Sequence, residues 1–580
     1  MKRIAVIEKE KCNPVGCGGY LCIRVSPGNR MGNEVFIVGP DGKAQVNEDV
    51  CTDAESITVK KCPFNAIHMV KLPDRLASQP VHRFGRDGFV LYRLPTPIFG
   101  SVAGILGVNG IGKSTAVKVL SRVLEPNFGK EKGGSFSELL QYFKGSESQI
   151  FFERLGNGQI KVSYKPQSVD LIPKEVSGKV KELLKNSDER KRLSEVADKL
   201  EITKILDQDI KELSGGELQR VAIAAASLKQ ANVYFFDEPS SFLDISQRIN
   251  VSRFIRSLAN ENTAVVVIEH DMVVLDYMAD LIHVMYGEPG AYGIVSQAKP
   301  ARNAINAYLS GYLKEENMKF RNHEIKFSVR PPERLLKREP IVSWKAIEKK
   351  LGDFKLTADS GHIPKKHVIG ILGPNGIGKT TFVKLIAGVE KTDKGEISCN
   401  VSVSYKPQYL SFSSEQLVES YLKVDEMLSR QLSLEPLMKK KISGLSGGEL
   451  QRVAIADCLS KDADLYLLDE PSAYLDVEQR LIISKVIRER MEQSGKTALV
   501  VEHDIVFIDY LSDSLIVFEG EPARKGSVSS TFSMEEGMNR FLTNLDITLR
   551  RDPDSFRPRI NKPGSRLDRE QTASGKRYYQ

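Results

Sequence analysis

The feature that most constrains this chain is an internal repeat, in which five short motifs occur twice in the same order. The pairs are GVNGIGKST at 107–115 and GPNGIGKTT at 373–381, YKPQ at 164–167 and 405–408, LSGGELQR at 213–220 and 445–452, FFDEPSSFLD at 235–244 and LLDEPSAYLD at 467–476, and VIEHD at 267–271 and VVEHD at 500–504. Five ordered matches indicate a duplication, so the chain is expected to contain two copies of one domain.

The two copies differ in length between their first two motifs. Lys113 and Lys379 lie 266 residues apart, whereas Ser214 and Ser446 lie 232 apart, so the first copy is longer. Most of the extra residues fall at about 130–157, where apolar side chains at helical spacing flank a polar turn. We expect an inserted helix–loop–helix here. A docking element is favoured over a surface excursion without a partner, because only one copy carries the insertion.

Composition limits the classes of protein that this chain can be. At ~150 residues per domain, 580 residues predict three to four domains. The net charge of +8 is mild for this length, and it leaves room for a local basic patch that contacts RNA. A charged fraction of 27% fits a folded protein. No apolar run reaches the ~18 residues of a membrane helix and no secretory leader is evident, so a cytoplasmic location is expected.

The first repeated motif has the form of a phosphate-binding loop. Each copy follows an apolar run and precedes a periodic helix, which is the context that such a loop requires. Its glycines let backbone N–H groups surround phosphates, Lys113 and Lys379 are placed for the β- and γ-phosphates, and the next hydroxyl is placed for Mg²⁺. The candidate residues are Gly107, Asn109, Gly110, Gly112, Lys113, Ser114, Thr115, Gly373, Asn375, Gly376, Gly378, Lys379, Thr380 and Thr381.

The strand-end motifs supply the candidate catalytic groups. Asp237 and Asp469 end apolar strands, and we expect them to hold Mg²⁺ together with Ser114, Thr380, Gln167 and Gln408. Each is followed by a glutamate that can deprotonate an attacking water. Histidines after two further strands are placed to sense the γ-phosphate. The predicted catalytic residues are Glu238, Glu470, His270, His503, Gln167 and Gln408.

LSGGELQR resembles the signature of ATP-binding-cassette (ABC) ATPases. A serine and two glycines opening a helix form a second anion site, here Ser214, Gly215 and Gly216, and Ser446, Gly447 and Gly448. The resemblance covers about 76–300 and 346–520. It implies two α/β P-loop cassettes arranged head to tail, with Lys113 facing Ser446 and Gly448, and Lys379 facing Ser214 and Gly216. Asp244 and Asp476 end the segments expected to touch across that interface.

The same resemblance implies an aromatic partner for adenine. Phe84 and Phe89 precede Lys113 by 29 and 24 residues, and Phe354 precedes Lys379 by 25. Leu351 stands where the first aromatic would be expected in the second copy, so stacking there falls to Phe354 or is lost. The alternative interpretation is that these aromatic side chains belong to the core.

Five of the seven cysteines lie within the first 62 residues. Their spacing resembles a ferredoxin-type two-cluster domain, in which the cysteine before proline in each run serves the other cluster. Ser26 replaces that cysteine in the first run, and Glu55 and Thr58 stand near where two others would be expected. The cross-over implies one [4Fe–4S] cluster on Cys12, Cys17, Cys22 and Cys62, no second cluster, and Cys51 left over. A Zn²⁺ site on the same four thiolates, or no metal, are the alternatives.

A ferredoxin-like α+β domain before two fused cassettes resembles the RNase L inhibitor family of archaeal type, subfamily E of the ABC proteins, which are ribosome-recycling ATPases. The resemblance divides the chain into an iron–sulfur domain at 1–75, a cassette at 76–300, a hinge at 301–345, a cassette at 346–520, and a hinge with a basic tail at 521–580. The tail from Arg550 to Gln580 carries a net charge of +5, which we ascribe either to ribosomal RNA contact or to arginines packed on carboxylates.

This family resemblance implies that ATP-driven closure splits ribosomes after termination or rescue. The partners would be the ribosome, especially its small subunit and RNA, and a release factor or Pelota-like protein, with no membrane subunit. After splitting, the protein would stay on the small subunit until hydrolysis reopens it. Three alternatives remain: a paralogue that binds ribosomes without splitting them, an ATPase that remodels tRNA sites, and a redox-sensing scaffold without ATP turnover.

Overall fold

The computed structural model describes residues 3–7, 11–39, 42–47, 50–71, 79–85, 88–130, 133–321, 324–327, 339–398, 401–408 and 415–578. The chain forms two compact units. The first comprises 1–97, 105–162 and 283–298, and the second comprises 98–104, 163–282 and 299–580. The boundary therefore passes through the first repeated copy, while the second copy lies wholly in the second unit.

The N-terminal elements of the first unit are short. They are β1 (Arg3–Ile7), α1 (Leu21–Val25), α2 (Pro27–Arg30), β2 (Phe36–Val38), β3 (Ala44–Val46), α3 (Ser56–Lys61) and β4 (Ile67–Lys71). β1 pairs antiparallel with β4, and β2 pairs antiparallel with β3. Their core contains few side chains, among them Phe36, Ile67 and Cys51, and Cys12, Cys22 and Cys62 pack against it. So small a core gives limited stability by itself.

The first repeated copy follows. Its elements are β5 (His82–Arg83), β6 (Val90–Tyr92), β7 (Val102–Leu106), α4 (Lys113–Leu120), α5 (Phe136–Tyr142), α6 (Glu147–Gly156), β8 (Val162–Lys165), α7 (Ile172–Glu175), α8 (Val180–Ser187), α9 (Leu193–Lys199), α10 (Gly215–Leu228), β9 (Val233–Asp237), α11 (Ile245–Leu258), β10 (Ala264–Ile268), α12 (Met272–Met278), β11 (Leu281–Glu288), β12 (Tyr292–Val295) and β13 (Lys299–Pro300). In the first unit the strand order is β5-β6-β12-β11, and in the second β9 runs parallel to β10. α5 and α6 occupy the predicted insertion.

The chain between the copies contains α13 (Ala301–Ser310), β14 (Tyr312–Leu313) and β15 (Met318–Lys319). The second copy contains β16 (Pro340–Leu351), β17 (Phe354–Ala358), β18 (Gly361–Pro364), β19 (Val368–Leu372), α14 (Lys379–Ile386), β20 (Lys394–Ser398), β21 (Val403–Lys406), α15 (Val418–Tyr421), α16 (Glu426–Gln431), α17 (Gly447–Ser460), β22 (Leu465–Asp469), α18 (Val477–Ser494), β23 (Thr497–Val501), α19 (Ile505–Leu511), β24 (Ser514–Glu521) and β25 (Lys525–Val528). The chain ends with β26 (Phe532–Ser533), α20 (Met534–Leu545), β27 (Leu549–Arg551), β28 (Pro558–Ile560) and α21 (Arg566–Ser574).

The sheet of the second copy positions its polar motifs. Its strand order is β18-β16-β17-β25-β24-β19-β23-β22-β21, with β20 on β16 and β26 on β24. β24, β19, β23, β22 and β21 run parallel, and β19, β22 and β23 are buried along their whole length. Such strands are near-continuous apolar runs because helices cover both faces. The phosphate loop, the carboxylates and His503 follow the carboxyl ends of β19, β22 and β23, where ligands bind in parallel sheets.

Within the described residues, no helix combines the length and the apolar character needed to cross a bilayer.

Candidate active site

The second phosphate loop holds its lysine in place through backbone carbonyls. Lys379 is buried at the start of α14, and its Nζ donates hydrogen bonds to the carbonyl oxygens of Gly373 (2.8 Å) and Pro374 (2.7 Å). Burial lowers the pKa of Lys379 to about 8, and Glu470, Asp244 and Asp469 oppose this shift. The lysine side chain therefore folds back onto its own loop. The nearby carboxylates favour the charged form of its ammonium group.

The loop glycines are required where an aromatic ring packs behind them. Gly378 has a φ of 94°, and a Cβ there would lie 2.9 Å from Cζ of Phe354. Gly112 of the first loop has a φ of 89°, and its Cβ would lie 2.4 Å from Cζ of Phe89. Phe89 and Phe354 therefore occupy equivalent places and support the loops from behind.

The earlier aromatic position is at the surface. Phe84 is 46% exposed and Leu351, its counterpart in the second copy, is 44% exposed. The Phe84 ring meets His82 edge-on, with ring centroids 4.6 Å apart. An exposed flat ring is available for stacking in the first copy, whereas the second offers an aliphatic side chain at that position.

The carboxylate at the end of β22 is suited to a divalent cation. Asp469 is fully buried, and burial raises its pKa to about 6 although the Thr380 hydroxyl opposes the shift. Among the described residues, neither carboxyl oxygen of Asp469 has a hydrogen-bond partner of good geometry. Buried oxygens of this kind are stabilised when a hard cation binds them, so Asp469 and Thr380 fit the predicted Mg²⁺ site.

The neighbouring carboxylate is held in its ionised form. Glu470 lies at φ 47°, with its Oε1 2.8 Å from Nε2 of Gln408 and 3.4 Å from Nε2 of His503. Burial alone would raise the pKa of Glu470, but His503, Lys379 and Gln408 outweigh it and bring the pKa down to about 2. The strand ends thus bring together three of the predicted catalytic side chains.

The first copy repeats this arrangement within the second unit. Glu238 also lies at φ 47°, and its Oε1 is 2.7 Å from Nε2 of Gln167 and 3.2 Å from Nε2 of His270. Ser241 Oγ donates to its Oε2 at 3.1 Å. A non-glycine residue with positive φ is uncommon, and its recurrence at both glutamates indicates that the backbone aims this side chain in a set direction.

The first phosphate loop, in the first unit, also encloses its lysine. Lys113 is buried, and its Nζ donates to the carbonyl oxygens of Gly107 (3.0 Å) and Val108 (2.8 Å). The α4 helix begins at Lys113, so its first N–H groups open toward the loop.

Each signature serine caps the helix that follows it. Ser214 precedes α10 and Ser446 precedes α17, and each forms a capping box with the glutamate three residues on. A Cβ on Gly216 would lie 3.0 Å from the carbonyl oxygen of Phe242, and one on Gly448 would meet Tyr474 at the same distance. The small residues are needed because the loop that follows Glu238 or Glu470 passes directly over the helix start.

That loop of the first copy also contacts the phosphate loop of the second copy. The N–H of Asn375 donates to Oδ2 of Asp244 at 2.8 Å, and Nδ2 of Asn375 lies 3.4 Å from the carbonyl oxygen of Phe242. Phe242 therefore borders the Gly216 signature and the Lys379 loop together. This contact fits the predicted head-to-tail relation, since the loop packed on the signature of the first cassette also contacts the phosphate loop of the second.

Comparison with known proteins agrees with this geometry. A family model described as "ABC transporter" matches residues 99–241 and 356–473. An ABC transporter ATP-binding protein of Methanocaldococcus jannaschii is 49% identical over the whole chain and 97% of its own length. An archaeal ribosome recycling factor ABCE1, solved with the ribosomal stalk protein aP1, is 54% identical with a TM-score of 0.83 over 87% of this chain and 99% of its own. In a model of ribosome-bound archaeal Pelota and ABCE1, the matched chain is 54% identical with a TM-score of 0.92, over 100% of this chain and 99% of its own.

The chain belongs to the RNase L inhibitor family, ABC subfamily E. The predicted resemblance and the two tandem cassettes are confirmed, and the chain is an ABC-type ATP hydrolase.

Sequence reasoning passed over two lysines of this RNase L inhibitor family member. Lys165 Nζ donates to the Asp237 carbonyl oxygen at 2.8 Å, and Lys406 Nζ donates to that of Asp469 at 2.7 Å. Burial lowers the pKa of each lysine to about 8. They hold the backbone at the strand ends that carry the predicted Mg²⁺ ligands and catalytic glutamates. The YKPQ motif contains this lysine in both copies, and that repetition could have identified it from the sequence.

The C-terminal segment predicted as a hinge forms ion pairs with α12 of the first copy and with the predicted hinge at 301–345. Asp276 of α12 accepts hydrogen bonds from Arg557 (2.9 Å) and Arg559 (2.6 Å); Asp276 and Arg557 are buried, and Arg559 is partly buried. Asp552 accepts from Arg302 (2.8 Å) and from Asn306 of α13 (2.9 Å). Part of the basic tail thus packs on carboxylates, one of its two predicted roles.

The four predicted cluster cysteines carry free thiols and are partly buried. Burial raises the pKa of Cys22 to about 11, and the nearby Cys12 and Cys17 add to this shift. Within the described part of the chain, no group of three or more His, Cys, Asp or Glu side chains is arranged to hold a single metal ion. In a [4Fe–4S] cluster each thiolate binds a different iron atom. Its four thiolates therefore lie farther apart than the ligands of a single metal ion.

Proposed function

We propose that this chain is a ribosome-recycling ATPase, in which ATP-driven closure of the two cassettes separates the ribosomal subunits. One observation carries the proposal: over its full length the chain matches an ABCE1 seen with Pelota on the ribosome. It acts after termination or rescue, with a release factor or Pelota-like protein, and then stays on the small subunit and its RNA. It acts in the cytoplasm and without a membrane subunit.

We assign the hydrolytic chemistry to the strand-end cluster. Lys379 exchanges its loop carbonyls for phosphate oxygens, because phosphate binds an ammonium more strongly than a neutral carbonyl does. Glu470 accepts the proton of the attacking water, which Gln408 orients, and His503 contacts the γ-phosphate. Mg²⁺ held by Asp469, Thr380 and Gln408 would neutralise phosphate charge.

The first copy is assigned the same roles. Asp237, Ser114 and Gln167 would hold its Mg²⁺, and Glu238 and His270 correspond to Glu470 and His503. Phe84 supplies the adenine-stacking ring.

ATP favours closure of the two cassettes because it gains contacts with the opposite signature in the closed state. The capped helix starts at Ser214 and Ser446 present backbone N–H groups to the γ-phosphate of the opposite site. These contacts exist only when the cassettes are closed, so ATP favours that state, and loss of the γ-phosphate removes the preference. We assign the hinge roles to 301–345 and 521–580. Asp552 pairs with Arg302 between these two segments, and Asp276 of α12 pairs with Arg557 and Arg559 of the second.

The N-terminal domain, 1–75, carries one [4Fe–4S] cluster on Cys12, Cys17, Cys22 and Cys62 in this proposal. Cys12, Cys22 and Cys62 border a core too small to hold the domain rigid alone. Zinc on the same thiolates would give one zinc and no sulfide per chain, and the absence of metal would give neither, so elemental analysis of anaerobically purified protein separates the three cases.

Trapping the closed state tests the proposal. The variant Glu238→Gln/Glu470→Gln binds ATP and closes but cannot deprotonate water, so it should sediment with small ribosomal subunits in ATP and not in ADP. A matched control, Glu426→Gln, changes an exposed glutamate of α16 and should release the subunit as the wild type does. A double variant that never sediments with small subunits would contradict the proposal.

A second candidate is a paralogue that binds ribosomes without splitting them. The observation that favours it is the replacement of three cluster-type cysteines by Ser26, Glu55 and Thr58. It predicts ATP-dependent sedimentation with intact ribosomes and no free subunits, whereas the first proposal predicts subunits.

A further inference from the structure

We propose that a hydrogen-bonded network centred on Glu55 occupies the second cluster position of the N-terminal domain, and that this network replaces iron there as a structural cross-link. From the proposed function, this inference takes only the one [4Fe–4S] cluster on Cys12, Cys17, Cys22 and Cys62. The contacts of Glu55 stand independently of whether the chain splits ribosomes.

The cross-over of a two-cluster domain defines the second position. It would need three ligands from the second cysteine run and the one before proline in the first run. Cys51 is present, whereas the other three places are held by Glu55, Thr58 and Ser26. Although Ser26 lies 29 residues before Glu55, the fold brings the three replaced positions together.

The three replacements form one network. Ser26 Oγ donates to Glu55 Oε1 at 2.8 Å, and Thr58 Oγ1 donates to Glu55 Oε2 at 2.7 Å. The N–H of Gly28 donates to Oε1 as well, at 2.8 Å. Ser26, Glu55 and Thr58 are all fully buried. A carboxylate is an acceptor only, and each of these three neighbours is a donor, so donors and acceptors match.

The backbone is shaped for this carboxyl group. A Cβ on Gly28 would lie 2.9 Å from Glu55 Oε1 and 2.3 Å from Cγ2 of Val35. Glycine is therefore needed for the backbone N–H to reach the carboxyl oxygen. Ser26 Oγ also accepts from the N–H of Asn29 at 3.1 Å, which caps α2. The same hydroxyl thus joins the helix cap to the network.

The chemistry of the site does not fit a second cluster. A [4Fe–4S] group needs four thiolate ligands or close substitutes, and this position has one thiol, Cys51, whose sulfur accepts the N–H of Ala5 at 3.3 Å. The oxygens of Glu55 already accept three hydrogen bonds from their own chain. The network ties α2 to α3, as a shared cluster would, and it needs no iron.

Iron and acid-labile sulfide are measured first, on full-length protein purified and reconstituted without oxygen. We expect about four irons per chain, unchanged in Cys51→Ser and lost in Cys22→Ser. About eight irons per chain, or a halving of the iron in Cys51→Ser, would overturn the proposal.

The network itself is tested by hydrogen exchange of the full chain, followed by mass spectrometry of peptides that cover 26–35 and 50–62. Glu55→Ala leaves three buried donors without acceptors, so exchange there should be at least tenfold faster. Glu55→Gln keeps Oε1 as an acceptor and can donate to Thr58, so its exchange should stay within about threefold of the wild type.

Two milder variants cover the case in which Glu55→Ala is insoluble. Thr58→Val removes one hydroxyl and should speed exchange in both peptides, and Gly28→Ala should do the same because its methyl group meets Glu55. Wild-type exchange in Glu55→Ala, or in both milder variants, would overturn the network. Exchange and iron content are independent of ribosome splitting, so a failure of the proposed function is distinguishable from a failure of this inference.

Discussion

Glu238 and Glu470, which each follow a buried aspartate, are the residues to which we assign the removal of a proton from water. Glu238 and Glu470 share a positive φ, a glutamine donor and a histidine neighbour, although they lie in different copies. Lowering the pKa of Glu470 to about 2 keeps it ionised at neutral pH. An ionised carboxylate can accept a proton from water, whereas a protonated one cannot.

Replacing one catalytic glutamate is expected to slow ATP turnover at its own site. Glu470→Gln keeps size and hydrogen bonding but loses the base, so we expect turnover at the second site to fall roughly 100-fold or more. Phosphate release is measured with and without Glu470→Gln in protein that already carries Glu238→Gln, so that only the second site contributes. Glu426→Gln serves as the matched control, and unchanged phosphate release in the double variant would contradict the assignment.

The thiol of Cys458 gives an independent test of the packing of the second cassette. Burial raises its pKa to about 11, above the ordinary ~8.5. Because the thiolate is the nucleophile, a raised pKa lowers its fraction at pH 8. We expect native protein to alkylate at Cys458 at least tenfold more slowly than urea-unfolded protein, as read by peptide mass spectrometry. Equal rates would contradict the buried placement.

At the scale of elements, α12 anchors the C-terminal segment predicted as a hinge. Asp276 is buried between Arg557 and Arg559. Removing one partner of a buried ion pair leaves an uncompensated charge, which costs more than removing the whole pair.

Asp276→Ala is therefore expected to destabilise this interface by about 3–5 kcal/mol, seen as a lower Tm and faster exchange of 547–562. Removing Arg557 as well, in Asp276→Ala/Arg557→Met, should recover part of the loss because one unpaired charge is gone. Glu426→Ala breaks an exposed pair with Arg430 and should change Tm little. A double variant less stable than Asp276→Ala would contradict the ion-pair account.

Features formed by residues close together along the chain could be predicted from the sequence. Phosphate loops and strand-end carboxylates are local patterns, so Lys379, Asp469 and Glu470 could be assigned from their neighbours along the chain. Asp276, the acidic partner of Arg557, lies 281 residues away along the chain, so their pairing leaves no local pattern. Glu55 was predicted as a lost ligand, but its contacts with Ser26 and Gly28 depend on tertiary packing, which spacing does not encode.

At the scale of the whole molecule, a duplicated cassette gives two ATP sites that are similar but not identical. In the phosphate loops, Val108 of the first copy is equivalent to Pro374 of the second. The exposed Phe84 of the first copy is equivalent to Leu351 of the second. The contact of Asp244 with Asn375 places the two cassettes head to tail at the second site. In the proposed function, ATP binding acts through that arrangement.

Ribosome splitting, followed by light scattering of archaeal ribosomes mixed with this protein, ATP and a Pelota-like factor, tests the account most directly. In ATP we expect scattering to fall as subunits separate, repeatedly with the wild type and for a single round of splitting per molecule with Glu238→Gln/Glu470→Gln. In ADP we expect scattering to stay constant. Constant scattering in ATP, from protein that hydrolyses ATP and contains its cluster, would contradict the account.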